Sequence, residues 1–197
     1  MEKELARYKT SESCPLELYY PMEFLQDLRF CNTLNEDISQ CGDGWEKISS
    51  VSAASSRIIP DSKGIYMFIW KPDFCLEHDN NTINFRYVVY IGSASKGVSS
   101  ILKRFNNDYK NVINQNFSVH WTENKPSNRD SRLKKVLNLN SLEYWYITMD
   151  HATSEQILDI EKRLICLFNP PGNQAFKSPI RAIVDQKKAA PAFEPAF

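Results

Sequence analysis

Two neighbouring apolar runs in this chain carry the same three residues in opposite order. KGIYMFIW, starting at Lys63, contains Gly64-Ile65-Tyr66, and FRYVVYIGSAS, starting at Phe85, contains Tyr90-Ile91-Gly92. Ile, Tyr, Val and Phe suit the pleated, half-buried surface of a sheet, and Gly stands where a chain turns. Both runs therefore read as strands, and hairpin chemistry is the plain explanation of their mirrored ends.

The rest of the chain alternates strand and helix patterns. Strands are predicted at 65–70, 85–91, 117–122 and 142–149, and helices at 97–109, 128–138 and 154–168, with a loop between the first two strands. Mixed α/β architecture follows. Residues 1–55 are irregular apart from LELYYPMEFLQDLRF, enough for one or two helices packed on the core. The final KKAAPAFEPAF has two prolines and no periodicity and is expected to lie extended. The expected organisation is an N-terminal extension over 1–60, a main domain over 61–178 and a tail over 179–197.

Composition narrows the function classes. The chain has 197 residues, 42% hydrophobic and 24% charged, and no apolar run approaches the roughly 20 residues of a membrane helix. Its first 30 residues are charged and broken by Pro15 and Pro21, unlike a secretory signal, so a cytoplasmic protein is expected. Five cysteines without a Cys-x-x-Cys pair argue against a disulfide framework and a structural zinc site, and three scattered histidines argue against a His-based zinc hydrolase. Net charge is zero, but residues 94–135 hold 9 basic and 3 acidic residues, a balance of +6 that a polyanion can use. A solvated helical face is the competing explanation.

Two helices carry the informative positions. Over 97–109, Val98, Ile101, Leu102, Phe105 and Tyr109 form an apolar stripe, and Arg104 lies well off it, toward solvent or an open cleft. In the helix over 154–168, Thr153 and Gln156 have capping-box spacing. Ile157, Leu158, Ile160, Leu164, Ile165, Leu167 and Phe168 cover one side, and Glu161 falls in the middle of it. A carboxylate there loses hydration unless a cation or strong donors compensate, so it needs either a salt-bridged Arg or Lys or a metal ion. Pro170 and Pro171 then stop the helix, and Asn173 lies on the turn beyond.

Gly64-Ile65-Tyr66 and Tyr90-Ile91-Gly92, followed in order by Arg104, Glu161 and Asn173, resemble the signature elements of the GIY-YIG nuclease superfamily. The resemblance covers residues 63–174; the N-terminal segment and the long loop after Tyr66 are similar to its restriction-enzyme branch. It implies a small central antiparallel β-sheet flanked by helices and divalent-metal-dependent cleavage of nucleic acid. By resemblance, Glu161 is the metal ligand for Mg²⁺, with Mn²⁺ as a substitute. Tyr66 is the general base or a member of the hydrogen-bonded set that activates water, and Tyr90 contacts the scissile phosphate or that water. Arg104 stabilises the developing charge, and Asn173 orients substrate or other catalytic groups.

The sequence departs from the family in two places. The loop holding KPDFCLEHDNNTIN is long, and the position four residues after the Arg, often His or Tyr, is Asp108. Tyr109 or His78 is the candidate to fill that role. The expected function is DNA endonuclease, double-stranded DNA being the first substrate to test and RNA a second, with Lys125, Arg129, Arg132, Lys134 and Lys135 gripping phosphates. Tyr144 and Trp145 are expected in the core or sheet. The alternative is a catalytically silent nucleic-acid-binding or interaction domain, and the oligomeric state is open between monomer and homodimer.

Overall fold

The computed structural model describes residues 18, 20–79, 81–113, 129–139 and 141–174. Two N-terminal helices, α1 (Met22–Gln26) and α2 (Leu28–Cys41), lead into β1 (Glu46–Ile48), and β2 (Gly64–Trp70) follows. A hairpin of β3 (Cys75–His78) and β4 (Asn81–Asn84) precedes β5 (Tyr87–Ala94) and the short helix α3 (Ile101–Arg104). After α3 come α4 (Arg129–Val136), β6 (Leu142–Thr148) and α5 (Ser154–Phe168).

The central sheet has the order β1-β6-β2-β5, with every pair antiparallel. Strand alternation sorts its side chains onto two faces. Tyr66, Phe68, Tyr90, Tyr144 and Tyr146 pack with Ile101, Phe105, Tyr109, Leu133 and Val136 from the α3 and α4 side. Ile65, Met67, Ile69, Ile91 and Ile147 pack with Leu34 and Ile38 of α2 and with Ile157, Ile160, Leu164 and Ile165 of α5. Helices thus cover both faces of a small antiparallel sheet. Arg163 of α5 ties α2 down through Asp37 at 2.6 Å while also pairing with Asp159 at 2.8 Å.

The mirrored tripeptides meet across β2 and β5: Gly64 faces Ala94, Tyr66 faces Gly92 and Phe68 faces Tyr90. A register shift after Phe68 leaves Val89 as the extra residue on β5, which lets both Val89 and Tyr90 join the tyrosine-rich core. Gly64 is required by close approach, since a Cβ there would overlap the Ile147 carbonyl oxygen of β6.

Several expectations change. The first helix after β5 starts at Ile101, not 97, because the chain turns at Gly97 (φ +59°) and Ser100 caps the helix by accepting the Lys103 N–H. Val98 is consequently 86% exposed and leaves the core stripe. Residues 71–84, expected as a loop, contain the β3–β4 hairpin, and the N-terminal segment adds edge strand β1 to the central sheet. The strand expected at 117–122 and the tail over 179–197 lie outside the described residues. No helix among the described residues is long and apolar enough to cross a membrane.

Candidate active site

A cavity of about 330 Å³ opens beside the far end of β5, and Tyr66, Tyr90, Arg104 and Glu161 all line it. Four of the five signature residues therefore converge. Tyr66 reaches the cavity because Gly92 has no side chain: a Cβ there would sit 2.5 Å from the Tyr66 hydroxyl oxygen and 2.6 Å from Cζ. Glu161 comes from α5 on the opposite face and meets the cavity at the β5 end, where its Oε2 accepts the Ser93 hydroxyl at 2.6 Å. Burial pushes the Glu161 carboxyl above the usual carboxylate range, partly offset by the Ser93 hydrogen bond and by the charges of Arg104 and Lys162.

Tyr109 is the hub of the site. Beyond α3 the backbone widens into a π-helical turn over Phe105–Tyr109, in which the Lys110 N–H reaches the Phe105 carbonyl at 2.9 Å. Such turns recur at functional sites. Tyr109 points inward, fully buried, while Asp108 stays on the outer side as the i,i+4 partner of Arg104. The Tyr109 hydroxyl lies 2.8 Å from that of Tyr66 and donates to that of Tyr90 at 3.2 Å. A phenol has one proton, so Tyr109, donating to Tyr90, must accept from Tyr66. The chain has a direction, Tyr66 to Tyr109 to Tyr90. His78 sits on the exposed β3–β4 hairpin and pairs with Asp79 at 3.2 Å, so it takes no part.

Burial and the neighbouring Tyr90 and Tyr144 hold the Tyr66 phenol well above its usual pKa; the Tyr109 hydrogen bond and Arg104 pull the other way without prevailing. Tyr109 is raised for the same leading reason. Tyr66 is thus a neutral hydroxyl in a chain and not a standing phenolate. Tyr144 is a core residue as expected, stacked on Tyr66 with centroids 5.7 Å apart, and Trp145 donates to Glu143.

Asn173 does not line the cavity. Its Oδ1 accepts the Ile91 N–H at 2.9 Å and its Nδ2 donates to the Ile91 carbonyl at 2.8 Å. Gly172 adds an N–H to Val89 at 2.9 Å. The turn after α5 therefore closes the open edge of β5, and Asn173 fixes the Tyr90-Ile91-Gly92 backbone, the one of its two expected roles that orients another site residue. Exposed edge groups need partners, which is the physical reason for this contact.

The expected phosphate-gripping residues separate. Arg129 lines the cavity itself. Lys134 is exposed on α4, whereas Lys135 is only 3% exposed, because α4 packs its Leu133 and Val136 against the sheet and carries Lys135 inward; it is withdrawn from any phosphate grip. Arg132 is partly buried, and Lys125 lies outside the described residues. Lys96 and Lys103 were not singled out in the sequence. Lys96 and Arg104 border both this cavity and an adjoining one of about 500 Å³, lined also by Lys103 and Asn107. Only the local excess of basic residues hinted at them.

Among the described residues no group of three or more His, Cys, Asp or Glu forms a metal cage. Glu161 is the carboxylate lining the cavity. Mg²⁺ keeps several waters and is commonly held by one or two carboxylates together with substrate phosphates, so this donor set fits it. Compared with known proteins, the chain matches no family model, no curated protein and no solved structure.

Proposed function

We propose that the chain is a GIY-YIG-type, divalent-metal-dependent DNA endonuclease that hydrolyses a phosphodiester in the Tyr66–Tyr90–Arg104–Glu161 cavity. The single observation that carries this reading is the directed hydroxyl chain from Tyr66 through Tyr109 to Tyr90, ending in the cavity that also holds Arg104 and Glu161. A core of tyrosines needs no such convergence with a half-exposed guanidinium and a part-buried carboxylate.

The chemistry follows from the groups. A phosphodiester repels an incoming nucleophile, so fixed positive charge at its oxygens lowers the barrier most. Arg104 supplies a planar fork for two of those oxygens. Glu161 would hold Mg²⁺, or Mn²⁺ in its place, which when bound supplies Lewis-acid stabilisation of phosphate charge. Tyr66 Oη accepts a proton from water only as its own proton moves to Tyr109 Oη and that of Tyr109 to Tyr90 Oη. Tyr90 Oη then gives its own proton to the leaving-group oxygen, as the bond from the water oxygen to phosphorus forms and the bond from phosphorus to that leaving oxygen breaks. No hydroxyl must ionise beforehand, which suits the raised Tyr66 and Tyr109 pKa values.

Asn173 contributes indirectly by holding the strand that carries Tyr90. Lys96, Lys103 and Lys134 lie on exposed or cavity-lining positions from which they would contact flanking phosphates of double-stranded DNA. A cytoplasmic location belongs to the same reading. The test is incubation of supercoiled plasmid with the protein in Mg²⁺ and in EDTA. Nicked or linear product in Mg²⁺ alone is expected. Intact plasmid in Mg²⁺ and in Mn²⁺, with DNA still bound, would instead leave a silent binding domain.

A further inference from the structure

The family-atypical acid of this site has an unusual position. Asp108 Oδ2 lies 3.4 Å from Arg104 Nη1 and 3.4 Å from Arg129 Nη2, so one carboxylate oxygen bridges guanidiniums from two different helices. Both arginines line the catalytic cavity and are about half exposed. Arg132, almost one turn further along α4, adds a third cation. Burial and then the like charge of Arg129 hold Arg132 below its usual pKa, and its Nε and Nη1 are buried without a hydrogen-bond partner. For Arg129, burial works against the charged form, but the nearby Tyr90 and Tyr109 hydroxyls and then the Asp108 carboxylate hold it above its ordinary value.

Two cavity-lining cations on one carboxylate leave net positive charge and guanidinium donors unused. The ligand that fits is an anion whose paired oxygens share a negative charge and can meet the guanidinium fork, as those of a phosphodiester do. A separation of 3.4 Å is longer than a good N–H···O contact, so Asp108 aligns the two arginines without consuming their best donors. Arg129 lines the same cavity as Tyr90, the end of the hydroxyl chain. It therefore stands where the reacting phosphate would be held.

We propose that Asp108 is a positioning residue that holds Arg104 and Arg129 as a two-arginine clamp, with both guanidiniums on the scissile phosphate. This deepens the nuclease reading above and rests on it. An acid that merely repelled DNA and an acid that aligns a clamp have opposite consequences. Removing a repulsive charge speeds cleavage; removing an aligning one slows it, even though DNA then binds at least as tightly.

The test is single-turnover cleavage of a labelled duplex at saturating protein with Mg²⁺, beside the dissociation constant in EDTA, for Asp108→Asn and Arg129→Lys. Asp108→Asn is expected to cleave at least about tenfold more slowly, since a misplaced guanidinium loses transition-state contacts. Its dissociation constant should be unchanged or lower. Arg129→Lys, which keeps the charge and loses the fork, should also fall at least about tenfold. The half-exposed side chain of Arg129 makes that variant a control for folding. Asp108→Asn or Arg129→Lys cleaving at or above the wild-type rate would overturn the clamp while leaving the nuclease reading intact. Absence of cleavage by the wild type would remove both.

Discussion

The Tyr66 phenol fills the space that a side chain on Gly92 would need, and the two residues are direct partners across β2 and β5. The mirrored tripeptides thus have a steric cause: one strand supplies the ring and the other supplies the gap. Gly92→Ala should expel Tyr66 from its position. The overpacking is expected to cost about 1–3 kcal/mol of stability and to reduce cleavage by about a hundredfold or more. Thermal melts and plasmid assays measure both effects, and a variant with wild-type melting and wild-type cleavage would contradict the fit.

Tyr109→Phe keeps the ring that packs against Phe68, with centroids 5.2 Å apart, and deletes only the hydroxyl joining Tyr66 to Tyr90. Stability should change by about 1 kcal/mol, whereas cleavage should fall at least about tenfold. His78→Ala, on the exposed hairpin, should change neither. A slow His78→Ala with a fast Tyr109→Phe would reverse this assignment.

Much of this arrangement was legible in the sequence, and the exceptions have physical reasons. Apolar runs rich in Ile, Tyr, Val and Phe marked β2, β5 and β6. The Thr153 and Gln156 spacing marked the start of α5, where each side chain does accept the other's backbone N–H, at 3.2 and 2.8 Å. Glu161 stood out because a carboxylate on an apolar face is costly, and the same cost raises its pKa in the fold. A π-helical turn has no periodicity of its own, so the role of Tyr109 was visible only as one of two options. Which of its two expected partners Asn173 serves was not legible, because a side chain that closes a strand edge looks, in sequence, like any polar residue on a turn. Lys135 was misplaced by helix phase and Val98 by helix start, neither of which a few residues of apolar pattern fix.

Glu161→Gln separates charge from shape. The raised carboxyl binds a proton more readily in the folded state than in the unfolded chain. Its contribution to stability is therefore full below the ordinary Glu pKa and is lost as pH rises through the higher folded value. Without metal, the Gln variant should melt above the wild type at neutral pH, and the difference should close as pH falls into the ordinary carboxylate range. Adding Mg²⁺ should raise the wild-type melting temperature only. A Gln variant that melts lower at neutral pH would mean that Glu161 is chiefly a structural ion-pair partner.

Asn173→Ala removes two hydrogen bonds to Ile91 and leaves that buried backbone edge unpaired. The loss should be about 2 kcal/mol, or roughly 4–8 °C in melting temperature for a chain of this size. Cleavage should weaken in step with that destabilisation and recover on cooling. Lost cleavage at an unchanged melting temperature would put Asn173 on the substrate after all.

Arg104 joins the cavity, the Asp108 bridge and the electrostatics of Glu161, so its replacement tests the whole site. The measurement is the single-turnover cleavage rate of duplex DNA in Mg²⁺ at saturating protein, wild type against Arg104→Lys. The expected result is a wild type that cleaves and a variant that binds DNA nearly as well yet cleaves at least about a hundredfold more slowly, roughly 2.7 kcal/mol of transition-state stabilisation. A wild type that leaves the duplex intact, or an Arg104→Lys variant that cleaves at the wild-type rate, would contradict a phosphodiester hydrolase built on this cavity.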